Sequence, residues 1–246
     1  MTKIKKLIAF TLAETLIVMG IIGVVAALTI PSLTNSTNNK DVVAKVRKAH
    51  ANLDDAFGRM IAQHGELQDW NTAPTANVIG NRLGANMKLQ KECKGASTCA
   101  GAAKALTNAG AASADPSGYS AILADGTAIG VNVFDSNCTT AVGTTEGLKQ
   151  ACGSIVIDID SYNGKNVQGI DEFAFWLTRT GIYPAGTEAD SKATFAANCK
   201  TAGGPGCTAW VVYNGNLDYR KASDDHKCNS NSGQVLSWAK DKTSCD

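Results

Sequence analysis

From Phe10 to Ile30 runs a stretch of 21 residues in which Glu14 is the only ionised side chain. At about 1.5 Å per residue such a stretch makes a helix of roughly 32 Å, enough to cross a bilayer core. Beyond Pro31 the pattern changes. The polar string Ser32 to Asn39 is rich in residues that compete with a helical backbone. Then Val42, Val46, Ala49, Leu53, Ala56, Phe57, Met60 and Ile61 recur at steps of three and four. That spacing predicts an amphipathic helix with glycine as its stop at His64-Gly65. Asp41, Lys45, Arg47, Lys48, Asp54 and Arg59 fall on its other faces, and His50 and His64 read as solvated.

Between Gly65 and Gly118 long apolar runs are lacking. This region, with its Gly/Ala-rich tract Gly95 to Gly110, reads as a connection carrying a short helix near Gly101 to Asn108. Period-two alternation begins at Tyr119, Ala121 and Leu123. It resumes after Asp125-Gly126 with Ile129, Val131 and Val133, the mark of a β-hairpin. Ile155, Ile157 and Ile159 predict a third strand, and Phe173, Phe175 and Leu177 a fourth. Past Gly181 the chain is rich in Gly and Cys, with one apolar run, Trp210 to Tyr213, expected as an edge strand. The fold class is α+β: a long N-terminal helix whose apolar stripe lies under an antiparallel sheet of about four strands. Trp70, Trp176, Trp210 and Trp238 are expected as core or interface anchors.

An ionised carboxylate inside an apolar span is costly, so Glu14 reads as a functional group in need of a cationic partner. Lys3, Lys5 and Lys6 precede the span and would hold an intact amino end on the cytoplasmic side. A cut after Ala9 would create a new cation, the α-amine of Phe10, four residues ahead of Glu14. An ordinary secretory signal could use Val25-Ala26-Ala27 as its cut site, but its apolar core would be shorter and would carry no glutamate. A plain signal anchor would not require a carboxylate at that depth.

The segment Ala9-Phe10-Thr11-Leu12-Ala13-Glu14-Thr15-Leu16-Ile17-Val18, with Gly20, Gly23 and Ala26 to Pro31, resembles the leader and N-terminal helix of type IV pilins and type II secretion pseudopilins. The resemblance covers about the first sixty residues and is most specific in the first thirty-one. It implies a pilin-like division of the chain: a leader over 1–9, a membrane and polymerisation helix over 10–30, its amphipathic continuation over 31–65 and a head over 66–246. It also implies that a prepilin peptidase cuts after Ala9 and N-methylates Phe10, although the family usually carries Gly before the cut. Glu14 then pairs with the N-terminus of a neighbouring subunit and sets filament register. The resemblance further implies storage in the bacterial inner membrane, contact with an assembly platform there, and extrusion as an extracellular pilus or a periplasmic pseudopilus.

Gly20 and Gly23 each weaken the helix by about 1 kcal/mol relative to Ala, and Pro31 removes a helical hydrogen bond. The family's corresponding segment extends on assembly, which makes Gly23 to Pro31 the expected point of flexure. Close helix packing is the alternative use of such glycines.

The formal charge is +1, and loss of the three leader lysines leaves 20 basic against 22 acidic residues, or −2. Neither value suggests a broad nucleic-acid surface. Eight cysteines all lie beyond residue 90, as an exported disulfide-bonded domain requires. No pair has zinc-knuckle spacing. Of the 105 pairings that eight cysteines allow, the nearest-neighbour set is the expectation: Cys93 with Cys99, Cys138 with Cys152, Cys199 with Cys207, and Cys228 with Cys245. Asp158, Asp160, Asn163, Asn166 and Asp171 cluster between the third and fourth strands and could ligate Ca2+. The spacing departs from an EF-hand loop, however, and Asn163-Gly164 is also an ordinary turn pair. No nucleophile elbow, phosphate loop or metalloprotease motif occurs, so an enzyme is not expected and neither is a cofactor.

Inside this machinery the candidate roles are a major pilin, a type II secretion pseudopilin, or a minor or tip pilin that binds a surface or DNA. Outside it stands a signal-anchored ligand-binding protein.

Overall fold

The computed structural model describes residues 11–70, 73–93, 110, 118–161, 166–229 and 233–245, with backbone alone at 30–36 and 68. The chain divides into two compact units between Asp41 and Val42. Helix α1, Leu12–His64, is continuous in backbone across Gly20, Gly23 and Pro31. The flexure expected there concerns the assembled state.

In the first unit, Leu12–Thr29 has a mean hydropathy of 2.2 and is long and apolar enough to cross a membrane. Its large apolar side chains, from Leu12 through Leu28, are exposed. In water that exposure is unfavourable by about 25 cal/mol per Å² of apolar surface, so the segment calls for lipid or for other helices.

The second unit begins inside α1. Val43, Val46, Ala49, Leu53, Ala56, Phe57 and Met60 are buried, at the spacing of one helical face. The stripe is led by Val43 rather than Val42, which is only partly buried. The helix stops where predicted. Gly65 takes φ +78°, and its N–H donates to the Ile61 carbonyl at 2.8 Å.

Among the described residues six strands, two more than expected, form one antiparallel meander in the order β1 to β6. They are β1 (Leu89–Cys93), β2 (Tyr119–Leu123), β3 (Ala128–Val133), β4 (Ala151–Asp158), β5 (Glu172–Thr178) and β6 (Ile182–Pro184). The register aligns Ile129, Ile157 and Phe173 across β3, β4 and β5, and Val131, Ile155 and Phe175 beside them. These side chains share one core with the α1 stripe. The opposite face carries Val156, Ala174 and Trp176, which pack with Val142, Leu148, Ala185 and Ala193. Both faces are therefore covered, and every residue of β4 and β5 is buried.

The predicted hairpin is β2–β3, with Gly126 at φ +88° and Thr127 N–H donating to Asp125 Oδ1 at 3.2 Å. The two unpredicted strands lie at the sheet's edges. The predicted connection after Gly65 also holds helix α2 (Ala76–Gly84), capped by Thr75. The short helix expected near Gly101 to Asn108 lies outside the described residues.

The run Trp210 to Tyr213 is helical, not an edge strand. It belongs to α4 (Thr208–Asn214), which follows the one-turn α3 (Phe195–Asn198). Gly215 ends α4 at φ +71°. Arg47 closes that end too, its Nε donating to the Val212 carbonyl at 2.8 Å and its Nη2 to that of Tyr213 at 3.2 Å. A four-residue apolar run cannot by itself distinguish helix from strand. Trp176 and Trp210 are fully buried, and Trp210 stacks on Phe195 with ring centroids 4.2 Å apart. Trp238 packs against that pair, and Trp70 is covered by the Arg82 guanidinium.

Three predicted disulfides are present: Cys138–Cys152, Cys199–Cys207 and Cys228–Cys245. Each closes a short loop, a constraint worth about 3 kcal/mol for a loop of some 15 residues. Cys93 is disulfide-bonded, while its expected partner Cys99 lies outside the described residues.

The loop ahead of Cys138 is organised by Asp135. Its carboxylate accepts the N–H groups of Asn137 and Thr139 at 2.9 and 2.8 Å and the hydroxyls of Thr139 and Thr140. Although burial opposes ionisation, those donors hold the carboxyl down at about 2. A carboxyl depressed on folding stabilises the fold above its unfolded value and loses that contribution as pH falls toward its folded one. Wild type is therefore expected to lose melting temperature more steeply than Asp135→Ala between about pH 4 and pH 2. Parallel acid limbs in the two proteins would refute this role for Asp135.

Candidate functional site

Two places merit a chemical reading: the first turn of α1 and the turn that leaves β4. At the first turn, Glu14 Oε2 accepts the Thr11 N–H at 2.9 Å and the Thr11 hydroxyl at 2.8 Å. The Glu14 N–H returns a bond to Thr11 Oγ1 at 3.2 Å. This is a reciprocal capping box, the local solution for amide groups left open at a helix start. Thus the glutamate that reads from sequence as a register contact already has a partner within its own chain. Ala9 and Phe10 lie outside the described residues. Nothing lies within 4 Å of where a Cβ would stand at Gly20 or Gly23.

At the second place, β4 ends on Asp158, and the chain turns through Asp160 and Ser161. The Asp158 side chain projects to the face opposite Ile157 and is fully buried. Its Oδ1 accepts the N–H groups of Asp160 and Ser161 at 3.1 and 2.9 Å, while its Oδ2 is buried without a hydrogen-bond partner. Burial first, and then the Asp160 carboxyl in hydrogen-bonding contact, push the Asp158 carboxyl up to about 7.

Asp171 is raised as well, chiefly by burial, although Val167 N–H donates to its Oδ1 at 2.5 Å. Glu172, also fully buried, stands opposite Asp158 in the β4–β5 register. Like charges at such a pair oppose one another. The structure thus brings Asp158, Asp160 and Asp171 into one neighbourhood, with Asn166 half-buried nearby in sequence; Asn163 lies outside the described residues.

The sequence reading missed Glu172 and Ser161 here. Glu172 sits in the β5 alternation beside Phe173, and that alternation, extended back one residue, places it on the face opposite Phe173. Ser161 carried no signal. Among the described residues no three His, Cys, Asp or Glu side chains form a ready metal-ligand set.

Asp160 and Ser161 line a cleft of about 760 Å³, together with Lys45, Lys91, Gln90 and Asp125 among others. Outside this cleft the histidines divide by environment. His50 is not solvated as expected: it stacks on Phe175 with ring centroids 5.4 Å apart, and its Nε2 lies 3.5 Å from Asp54 Oδ2. His64 is exposed, edge-on to Trp70. His226 is buried with Nε2 2.7 Å from the Cys199 carbonyl. His50 and His64 lie on α1 and His226 in the C-terminal region, and each meets a different set of neighbours.

No family model, no curated protein and no solved structure matches this chain.

Proposed function

We propose that this chain is a subunit of a type IV pilus-like filament, stored in the bacterial inner membrane by α1, processed by a prepilin peptidase and assembled through apolar packing of that helix. One observation carries the reading. The span Leu12–Thr29 has the length and hydropathy of a membrane helix, and its single ionised side chain, Glu14, lies in the first turn. In a filament of such helices the Phe10 amine of one subunit meets Glu14 of another. The partners are other copies of the chain or related pilins, the peptidase, the membrane and the assembly platform.

Intact mass of the membrane-extracted protein tests the first step. The expected mature chain begins at Phe10 and carries one added methyl group; a chain beginning at Thr2 or Leu28 would sink the proposal. A second reading within the same machinery, a minor or tip subunit presenting a binding surface, draws on the long cysteine-rich region after β6. Among the described residues that region adds no strand to the sheet. The protein's share of sheared surface filaments separates the roles: a major subunit dominates them and a tip subunit is scarce. A pseudopilin of type II secretion leaves surface filaments without it and secretion dependent on it.

A further inference from the structure

His226 closes the seam between α3 and the last part of the chain. The residue is more than nine-tenths buried, and its ring lies on Phe195 with centroids 4.4 Å apart. Its Nε2 is 2.7 Å from the Cys199 carbonyl, which can only accept. The neutral ring therefore carries its proton on Nε2 and leaves Nδ1 as the place for a second one. The backbone here stands at φ +61°, a left-handed conformation that few side chains adopt. Two bonds of 2.8 Å hold it there, from the His226 N–H to the Ser223 carbonyl and from the Leu236 N–H to the His226 carbonyl. Lys227 pairs with Val235, and the Cys228 N–H donates to the Gln234 carbonyl at 2.7 Å, so 222–228 and 234–236 form one ribbon attached at this residue. Through Phe195 the ring also meets an aromatic cluster, the stack on Trp210 and the Trp238 ring that packs against both.

We propose that His226 is a proton-operated clasp: uncharged, it holds this ribbon against α3, and protonated, it releases the ribbon and bares the Phe195–Trp210–Trp238 cluster. A second proton would put a full charge on a ring enclosed by aromatic and backbone groups, where charge is costly. Burial, the largest influence, and the Lys200 ammonium hold the imidazole below its ordinary value, against the Cys199 carbonyl and the Asp224 and Asp225 carboxylates. Lys200, Asp224 and Asp225, with Lys227 next in the chain, are the charged groups around the ring; α3, α4 and the stretch 234–238 bring none. Lys200 is fixed beside it, its Nζ donating to the Ala196 and Asp224 carbonyls at 3.2 and 2.9 Å. Asp224 Oδ1 accepts the Thr201 N–H at 3.2 Å. A histidine whose folded value is depressed contributes stability that is complete above its unfolded value, about 6.5, and is lost as pH falls from there toward the folded value. Acid therefore loosens the ribbon. The Cys228–Cys245 disulfide and the Asp218 carboxylate, which accepts the Cys245 N–H at 2.8 Å, keep the far end attached, so the release is local and reversible. The inference stands apart from the filament reading, since no part of it involves the membrane helix.

Hydrogen exchange of the full chain in detergent, read by mass spectrometry at about pH 7.5 and about pH 5 and corrected for the intrinsic rate, tests the clasp. Peptides from β4 and β5 serve as the internal reference. At the lower pH, protection over 222–229 and 233–238 is expected to fall at least about threefold relative to that reference, and to recover on return to the higher one. His226→Gln can keep an N–H toward the Cys199 carbonyl but does not titrate, so it should show the same protection at both values. His50→Gln and His64→Gln should respond as the wild type does. If His226→Gln is open at both values, the wild type decides: the midpoint of opening must coincide with protonation of the His226 ring in spectra of isotope-labelled histidine. Unchanged protection in the wild type, a response that survives His226→Gln, or a midpoint that follows His50 or His64 instead would each overturn the clasp.

Discussion

Asp190→Ala is expected to cost the fold about 3–5 kcal/mol. Asp190 is nearly fully buried and receives four donors. Trp176 Nε1 and the Gly186 N–H reach its Oδ2 at 2.6 and 3.0 Å. The N–H groups of Lys192 and Ala193 reach its Oδ1 at 2.8 and 2.9 Å. Removing the carboxylate leaves the buried Trp176, Gly186 and Ala193 donors without an acceptor, while the Lys192 N–H is only part-buried. Each buried unsatisfied donor costs about 1–3 kcal/mol, and the four are not additive because they share one acceptor. Against a typical total of about 5–15 kcal/mol that loss is severe. A fall of about 6–20 °C in melting temperature is expected, with Asp190→Asn intermediate because it keeps one oxygen acceptor. A shift within a degree or two would mean that the loop re-satisfies its donors and that Asp190 does not hold the second core together.

Asp190 also marks where sequence reading stops. Its neighbourhood, Gly186-Thr187-Glu188-Ala189-Asp190-Ser191-Lys192, has the composition of a solvated loop, and only the fold shows Trp176 turned toward it. By contrast the β2–β3 hairpin was legible because alternation and the Asp125-Gly126 turn agree. Strand β4 showed its core-side isoleucines, but its other face is buried too, and Ser154 and Asp158 gave no apolar signal for that second core. Strand β1, Leu-Gln-Lys-Glu-Cys, is an edge strand of mostly exposed polar residues, and β6 has three residues, too few for periodicity.

Helix α4 was misread because its end is fixed by Arg47 from α1, a contact 165 residues away along the chain. The disulfides were legible for the opposite reason: their partners are close in sequence, with separations of 14, 8 and 17 residues. At the acidic turn the sequence located Asp158, Asp160 and Asp171, but burial, and the unpartnered oxygens that come with it, belong to the folded sheet.

Glu14→Ala is expected to abolish filament assembly while the head stays folded, the largest functional effect the filament reading predicts. The capping box offers a competing account, because Glu14 also closes the start of α1 through Thr11. Loss of a cap costs about 0.5–2 kcal/mol of helix stability. That is small for a helix whose apolar side chains, on the filament reading, are held by lipid. An uncompensated amine or carboxylate in an apolar helix bundle costs several kcal/mol for every subunit added. Repeated along a polymer, that penalty blocks growth.

Thr11→Ala separates the accounts. It removes the hydroxyl half of the box and leaves the carboxylate available to the Phe10 amine of a neighbour. If Glu14 serves register, Thr11→Ala assembles and Glu14→Ala does not. Glu14→Gln also fails, since it keeps the shape and the hydrogen-bonding oxygen but loses the charge. If Glu14 serves only as a cap, Thr11→Ala and Glu14→Ala weaken assembly alike and Glu14→Gln rescues it. Sheared-filament yield, measured beside the melting temperature of the detergent-extracted protein, distinguishes these patterns. Normal filaments from Glu14→Ala would count against the register contact and the filament function built on it.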